Sequence, residues 1–257
     1  MSHDIYFSSS AKVWSAIEWV YGIEETGYDG WEISAEGNYR LDNKESFDSI
    51  VATLETTGLK ATVHAPFSDL NLASLNYPIY KESIRQLCEC IRHASELTDF
   101  VTVHPGYMSP EARLVPDKVW SLHKEALGEI GKFAEDYGVR VGLENMPAIP
   151  GFLCMCPDEL FGMIDGIENV FATVDIGHAN TTKELRSFLG RIGEASHLHL
   201  HDNNGVHDDH APLGRGNIDW DMVFSKLNGN YRGIYVVEGR SIDEAAVSLK
   251  FIRGYDL

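Results

Sequence analysis

Short β-rich runs alternate with longer helix-patterned segments eight times along this chain of 257 residues, and that alternation restricts the fold more than any other feature. "HDIYFS" precedes a helical stretch over Ala11 to Thr26, "YDGWEIS" one over Lys44 to Thr57, and "LKATVHA" one over Pro78 to Leu97. "DFVTVHPG" is followed by Asp117 to Tyr137, "VRVGLEN" by Pro157 to Asp165, and "VFATVDIGH" by Thr182 to Arg191. "SHLHLHD" leads, after a loop, to Asp219 to Leu227, and "GIYVVEG" to Ile242 to Arg253. Strands that each return through a helix run parallel, because a parallel pair needs a crossover connection. Eight such units in roughly 250 residues suffice to close a barrel. The expected architecture is therefore α/β, a single (β/α)8 TIM-barrel domain over 1–257. A doubly wound open sheet would need a Gly-rich phosphate loop after its first strand, and "FSSSAK" offers none. Gly27, Gly58, Gly138 and Gly233 sit where helices end and strands begin, as αβ turns prefer.

A polar residue stands near the C-terminal end of seven of these eight strands: Glu32, His64, His104, Glu144, Asp175, His199 and Glu238. Each has the parity opposite to the residues that should pack on the helices, as Val63 against His64, Val103 against His104, Leu143 against Glu144 and Val237 against Glu238. They are expected to point into the barrel mouth, where such barrels carry their catalytic groups.

The densest stretch is "HLHLHDNNGVHDDH", which holds five of the eleven histidines. Strand alternation puts His197, His199 and His201 on one face, so the face that should be apolar is polar. Buried histidines with no purpose beyond the core would each need a hydrogen-bond partner; metal ligation explains the cluster better. His178 follows Asp175 by one turn in "DIGH", and Asp208 stands two residues before His210 in "DDH". Imidazole and carboxylate are the natural ligands of zinc, and a carboxylate-rich site also accepts manganese or cobalt. One ion needs about four of these groups; together they suffice for two to three divalent ions per chain. His3, His93 and His123 lie away from strand C-termini and receive no role.

Composition narrows the partners. A net charge of −18 provides no long-range field for phosphate, which disfavours nucleic acid without excluding a local basic patch. No stretch approaches the roughly 18 apolar residues of a membrane span. "MSHDIYFSSS" is not a secretory signal, and the "CEC" and "CMC" pairs make poor disulfides, so reduced thiols and a cytoplasmic setting are expected.

"TVHAPF…LNLAS", "VTVHPG", "GLENM", "TVDIGHAN", "HLHDN…DDHAPLGRGNIDW" and "VVEG" resemble, in order and across nearly the whole chain, the xylose isomerase-like TIM-barrel superfamily. That group joins sugar and sugar-phosphate isomerases and epimerases with the endonuclease IV type of abasic-site nuclease (AP endonuclease family 2). On the nuclease pattern, the resemblance implies that His64, His104 and Glu144 hold a first zinc. Glu144 then bridges to a second with Asp175, His199 and Glu238, and His178, Asp208 and His210 hold a third. The family's H-x-x-D pattern matches "HLHD", which selects His199 as ligand and leaves His201 lining the pocket; His197, deeper by parity, is a core histidine. The epimerase-like members need only Glu144, Asp175, His199 and Glu238 around one metal. There Glu144 and Glu238 exchange a proton on opposite faces of the sugar.

Four further residues are candidate substrate contacts: Glu32 at the end of the second strand; Phe67, as an aromatic wall over a sugar or, on the nuclease resemblance, the aromatic that pushes into the damaged duplex; His201; and Arg215, whose "GRGNIDW" loop resembles one common to the superfamily, in which the arginine could meet a phosphate. Glu32 and Arg215 also admit a plainer reading, as a solvated carboxylate and a surface charge. The leading expectation is a divalent-metal-dependent isomerase or epimerase of a small sugar or sugar phosphate. The alternative is an endonuclease IV-like zinc phosphodiesterase cleaving at abasic sites in DNA. A barrel that binds metal or sugar without catalysis is the third class.

Overall fold

The computed structural model describes residues 3–255. Eight parallel strands close into a barrel in sequence order: β1 (Ile5–Ser8), β2 (Gly30–Ser34), β3 (Lys60–His64), β4 (Phe100–Val103), β5 (Arg140–Glu144), β6 (Val170–Asp175), β7 (Ala195–Leu200) and β8 (Tyr235–Glu238). The helices around it are α1 (Tyr21–Thr26), α2 (Lys44–Thr56), α3 (Tyr77–Ala94), α4 (Pro116–Asp136), α5 (Pro157–Ile164), α6 (Ile176–Thr181), α7 (Leu185–Gly190), α8 (Trp220–Leu227) and α9 (Ile242–Ile252). No helix among the described residues is long and apolar enough to cross a membrane.

Period-two alternation sorts each strand into two faces. Phe7, Trp31, Ile33, Val63, Val101, Leu143 and Leu198 face the helices and are almost fully buried; removing a side chain of this size from water contributes about 1.5–3 kcal/mol. The inward face is different. Laterally paired residues share a face, and the register sets Ser34 beside His64 beside Thr102, Glu144 beside Thr173 beside His197, and Asp175 beside His199. A barrel of this kind usually fills its interior with branched apolar residues. This one fills it with hydroxyls, imidazoles and carboxylates.

Local signals set the helix starts. Asn43, Asp175, Asp219 and Ser241 each accept a backbone N–H from the first turn of α2, α6, α8 and α9, the capping that satisfies an otherwise orphaned donor. Gly27 ends α1 in the left-handed region (φ 98°), where a side chain would be strained.

Two expected helices are corrected. Ala11 to Thr26 is not continuous: it forms 3-10 turns at Ser10–Lys12 and Ile17–Val20 before α1. The carbonyls a helix would have used are taken by the loop after β2, because Asn38 N donates to Val13 O and Tyr39 Oη to Ser15 O. The expected helix Thr182 to Arg191 is shorter, α7 over Leu185–Gly190, and a separate helix, α6, springs directly from Asp175 before it. Lys183, at φ 66°, breaks them apart, and its ammonium donates to Gly205 O. Gly58 and Gly233 do not adopt left-handed turns. Gly58 donates its N–H to the Glu24 carboxylate, and a Cβ on Gly233 would meet the Tyr231 hydroxyl at 2.2 Å.

Candidate functional site

The C-terminal strand ends and the segments after them bring ten acidic and histidine side chains into three touching clusters, with Glu32 and His197 grouped with His199 below them. The first is His64, His104 and Glu144. His64 Nδ1 donates to Ala65 O, so its Nε2 is left as a lone pair, 3.1 Å from His104 Nε2 and 3.3 Å from Glu144 Oε2. His104 Nε2 lies 3.0 Å from the same oxygen. Two imidazole nitrogens that face each other beside a carboxylate converge on a point that suits a cation.

The second cluster is Glu144, Asp175, His199 and Glu238. His199 Nδ1 lies 2.8 Å from Glu144 Oε1 and 3.6 Å from Glu238 Oε1, so glutamates from two different strands, β5 and β8, approach one nitrogen. The third is His178, Asp208 and His210, joined by His201. His178 Nδ1 donates to Asn145 O at 2.7 Å, which leaves Nε2 free and 3.4 Å from Asp208 Oδ2; His210 Nε2 lies 3.1 Å from the same oxygen. His210 is held at φ 47°, a costly conformation for a residue with a Cβ.

Electrostatics follow from burial. Desolvation alone would raise the Glu144 carboxyl, but the His199 charge and the close imidazole nitrogens of His104, His199 and His64 hold it well below the usual carboxylate range. Burial disfavours a charged His201, yet Asp175 and Asp208 beside it push its pKa up to about 9. The same contest, with Asp175 and Asp208 as partners, raises His178 well above the ordinary value. Histidine charge thus neutralises the carboxylates. Cations would do so as well, and the donor set fits them: buried Asp175 Oδ2, His201 Nε2 and Asp208 Oδ1 have no hydrogen-bond partner, which is costly unless something else satisfies them.

Above the clusters lies a cavity of about 260 Å³ whose wall includes His64, Phe67, His104, Glu144, His178, Asp208, His210 and Glu238. Phe67 stacks on His104 at 4.6 Å between ring centroids and meets His64 edge-on at 5.3 Å. A more apolar cavity of about 300 Å³ adjoins it and shares Phe67, His104, Ile149 and Phe152.

The model of the family described as "Xylose isomerase-like TIM barrel" matches residues 20–255. The chain belongs to this family. It is similar to a D-tagatose 3-epimerase-like protein of known structure, with 34% identity, a TM-score of 0.91, and 97% of this chain and 96% of that one covered. An uncharacterized protein of Methanocaldococcus jannaschii is 35% identical over 241 residues, 91% of this chain and 82% of the relative. A fructoselysine 3-epimerase of Shigella flexneri is 25% identical over 229 residues, 83% and 81% of the two chains.

Within this xylose isomerase-like barrel, three of the expected substrate contacts lie elsewhere. Glu32 is neither solvated nor in the cavity wall: it is fully buried beneath the clusters, 2.8 Å from His197 Nε2. His201 points inward as parity requires but is sealed under α6, where a Cβ on Gly177 would meet its ring at 2.0 Å. Arg215 is exposed, outside the cavity wall, with no ion pair among the described residues. Only Phe67 borders the cavity.

Positioning residues escaped the sequence reading. Asn145 accepts from Asp175 N, donates to Asp175 O, and lends its own carbonyl to His178. Asp202 accepts from Asn203 N, Gly214 N and Trp220 Nε1, which ties down the 203–219 loop carrying Asp208 and His210. Glu36 accepts from Phe67 N and Ser68 N, both at 2.7 Å. Asn145 and Asp202 stand inside "GLENM" and "HLHD", which carried no role for them, and Glu36 lies outside any quoted motif.

Proposed function

We propose that this chain is a divalent-metal-dependent epimerase or isomerase of a small ketose or its derivative, working by proton transfer at the carbon beside the carbonyl. The observation that carries the reading is that Glu144 and Glu238 both approach His199 Nδ1, at 2.8 and 3.6 Å, and both line one small cavity. At about 260 Å³ the cavity falls just below the roughly 300–1,000 Å³ of drug-sized ligand sites, which suits a sugar. The similarity to a fructoselysine 3-epimerase and to a D-tagatose 3-epimerase-like protein supports the same chemistry.

Glu144, Asp175, His199 and Glu238 would hold the principal ion. Bound there, a divalent cation polarises a ketone and makes the neighbouring C–H more acidic. One glutamate takes that proton as the electron pair moves toward the carbonyl oxygen. The opposite glutamate returns a proton to the other face and inverts the carbon. Phe67 supplies an apolar wall for the C–H face of the sugar. The clusters together support two to three ions per chain, zinc first, with manganese or cobalt as alternatives; the four free cysteines fit a reducing, cytoplasmic setting.

The test is a panel of ketoses, their phosphates and their amino-acid conjugates, incubated with protein loaded with zinc, manganese or cobalt and read by separation of epimers. Turnover of no member by the metal-loaded protein contradicts the reading. A second reading, a zinc phosphodiesterase acting at abasic sites, draws on one observation: His178, Asp208 and His210 assemble although a one-metal epimerase does not need them as ligands. Incision at low salt of a duplex carrying a tetrahydrofuran abasic analogue, without sugar turnover, would favour it.

A further inference from the structure

Below the donor clusters, the barrel interior holds a carboxylate that the chemistry above does not use. Glu32, on β2, is fully buried. Its Oε2 accepts from the Thr62 hydroxyl at 3.0 Å and lies 2.8 Å from His197 Nε2. Its Oε1 lies 2.9 Å from His199 Nε2 but off the N–H axis, and neither atom has a hydrogen-bond partner. The opposite nitrogen of that same ring, Nδ1, faces Glu144 and Glu238. His199 thus spans two layers, with one nitrogen toward the site and one toward Glu32.

We infer that Glu32 is the positioning residue of the site: it holds the His199 imidazole in the Nε2–H form and so leaves Nδ1 as the lone pair aimed at Glu144, Asp175 and Glu238. The inference rests on the metal-dependent reading above. A neutral imidazole carries one proton. If that proton sits on Nδ1, the ring cannot bind a cation on the site side; if it sits on Nε2, it needs an acceptor in a dry interior, and Glu32 Oε1 is the atom in place. A carboxylate behind a metal-binding histidine generally fixes both tautomer and ring direction. Glu32 also presents two acceptor oxygens to two histidines. A glutamine there has one acceptor oxygen and one NH2 group, so Glu32→Gln would force either His197 or His199 into the opposite tautomer.

The experiment uses the full chain and zinc as the probe, with affinity read by chelator competition and the His199 tautomer by long-range 1H–15N imidazole spectra. Wild type should show His199 protonated at Nε2 when zinc is bound. Glu32→Gln, folded by circular dichroism, should bind zinc about 10–100-fold more weakly, with His199 signals shifted toward the Nδ1–H form. Thr62→Val, nearly isosteric, removes one hydrogen bond to Glu32 and should weaken zinc by a few-fold, which keeps the test open if Glu32→Gln fails to fold. Wild-type affinity and tautomer in folded Glu32→Gln, or in Thr62→Val where Glu32→Gln does not fold, would overturn the inference while leaving the metal reading intact. So would loss of one whole zinc equivalent with the others unweakened, because Glu32 would then be a ligand. Wild-type protein that binds no divalent ion would overturn both.

Discussion

The donor ring has two halves that are held by different means. His64, Glu144, Asp175, His199 and Glu238 sit on strands or at their last residue, so the barrel register places them. Asp208 and His210 ride on a long loop whose shape depends on Asp202, and His210 is there in a left-handed backbone conformation. The strand-borne half is therefore part of the fold, with no geometry of its own to maintain. The loop-borne half depends instead on the loop's own contacts. In the proposed mechanism the proton transfer belongs to the half that the register holds.

Substitution on the strand-borne side should give the largest effect. Glu144→Gln and Glu238→Gln are expected to lower turnover by on the order of 10²–10⁴, the usual contribution of a general acid or base. Elemental analysis of the same samples separates the roles. Retained metal with lost turnover marks proton transfer, and parallel loss of both marks ligation alone.

Next in size comes the loop. Asp202→Ala strips the acceptor from several buried donors and should cost about 3 kcal/mol in denaturant unfolding, as unsatisfied buried groups do. It should also abolish metal binding at the proposed His178, Asp208 and His210 site while the proposed strand-borne site still binds. Loss of every ion at once would break the distinction between the halves.

A pH series sharpens the comparison further. In metal-free protein the raised pKa of His201, about 9 against roughly 6.5 unfolded, stabilises the fold fully below pH 6.5, and that contribution is lost as pH rises toward 9. His178 and His199 shift in the same direction. The apo melting temperature should thus fall by on the order of 5 °C between pH 6.5 and 9. Metal needs neutral imidazole, so the metal-loaded protein should gain stability over the apo form across the same interval. Parallel melting curves for the two forms would contradict this.

Arg215→Ala should do least, less than about twofold on turnover, since an exposed cation away from the cavity has little to lose. A tenfold drop would mean that the loop folds over the bound substrate.

The same contrast explains what could be read from the sequence. Strand parity is strictly local, so the inward direction of His64, Glu144, Asp175 and His199 followed from counting by twos. The depth of a residue is not local. Glu32 is expected to end its strand, but β2 continues through Ile33 to Ser34, which pairs with His64 and takes the mouth position. The stagger between strands therefore drops Glu32 one layer down. His201 had the right parity too, and was sealed in by α6, which starts at once after Asp175 rather than at Thr182. Loop contacts were illegible for the same reason. Nothing near "GRGNIDW" tells that Asp202 anchors the loop and that Arg215 faces outward.

The most direct test of the proton-transfer account is isotope exchange. Metal-loaded protein incubated with a turned-over ketose in deuterium oxide should place one deuterium at the inverted carbon, read by loss of its 1H signal and a one-unit mass gain. Glu144→Gln and Glu238→Gln should each slow that exchange along with epimerisation. Epimer formed without deuterium, or exchange undiminished in both variants, would contradict a mechanism that passes the proton between these two glutamates.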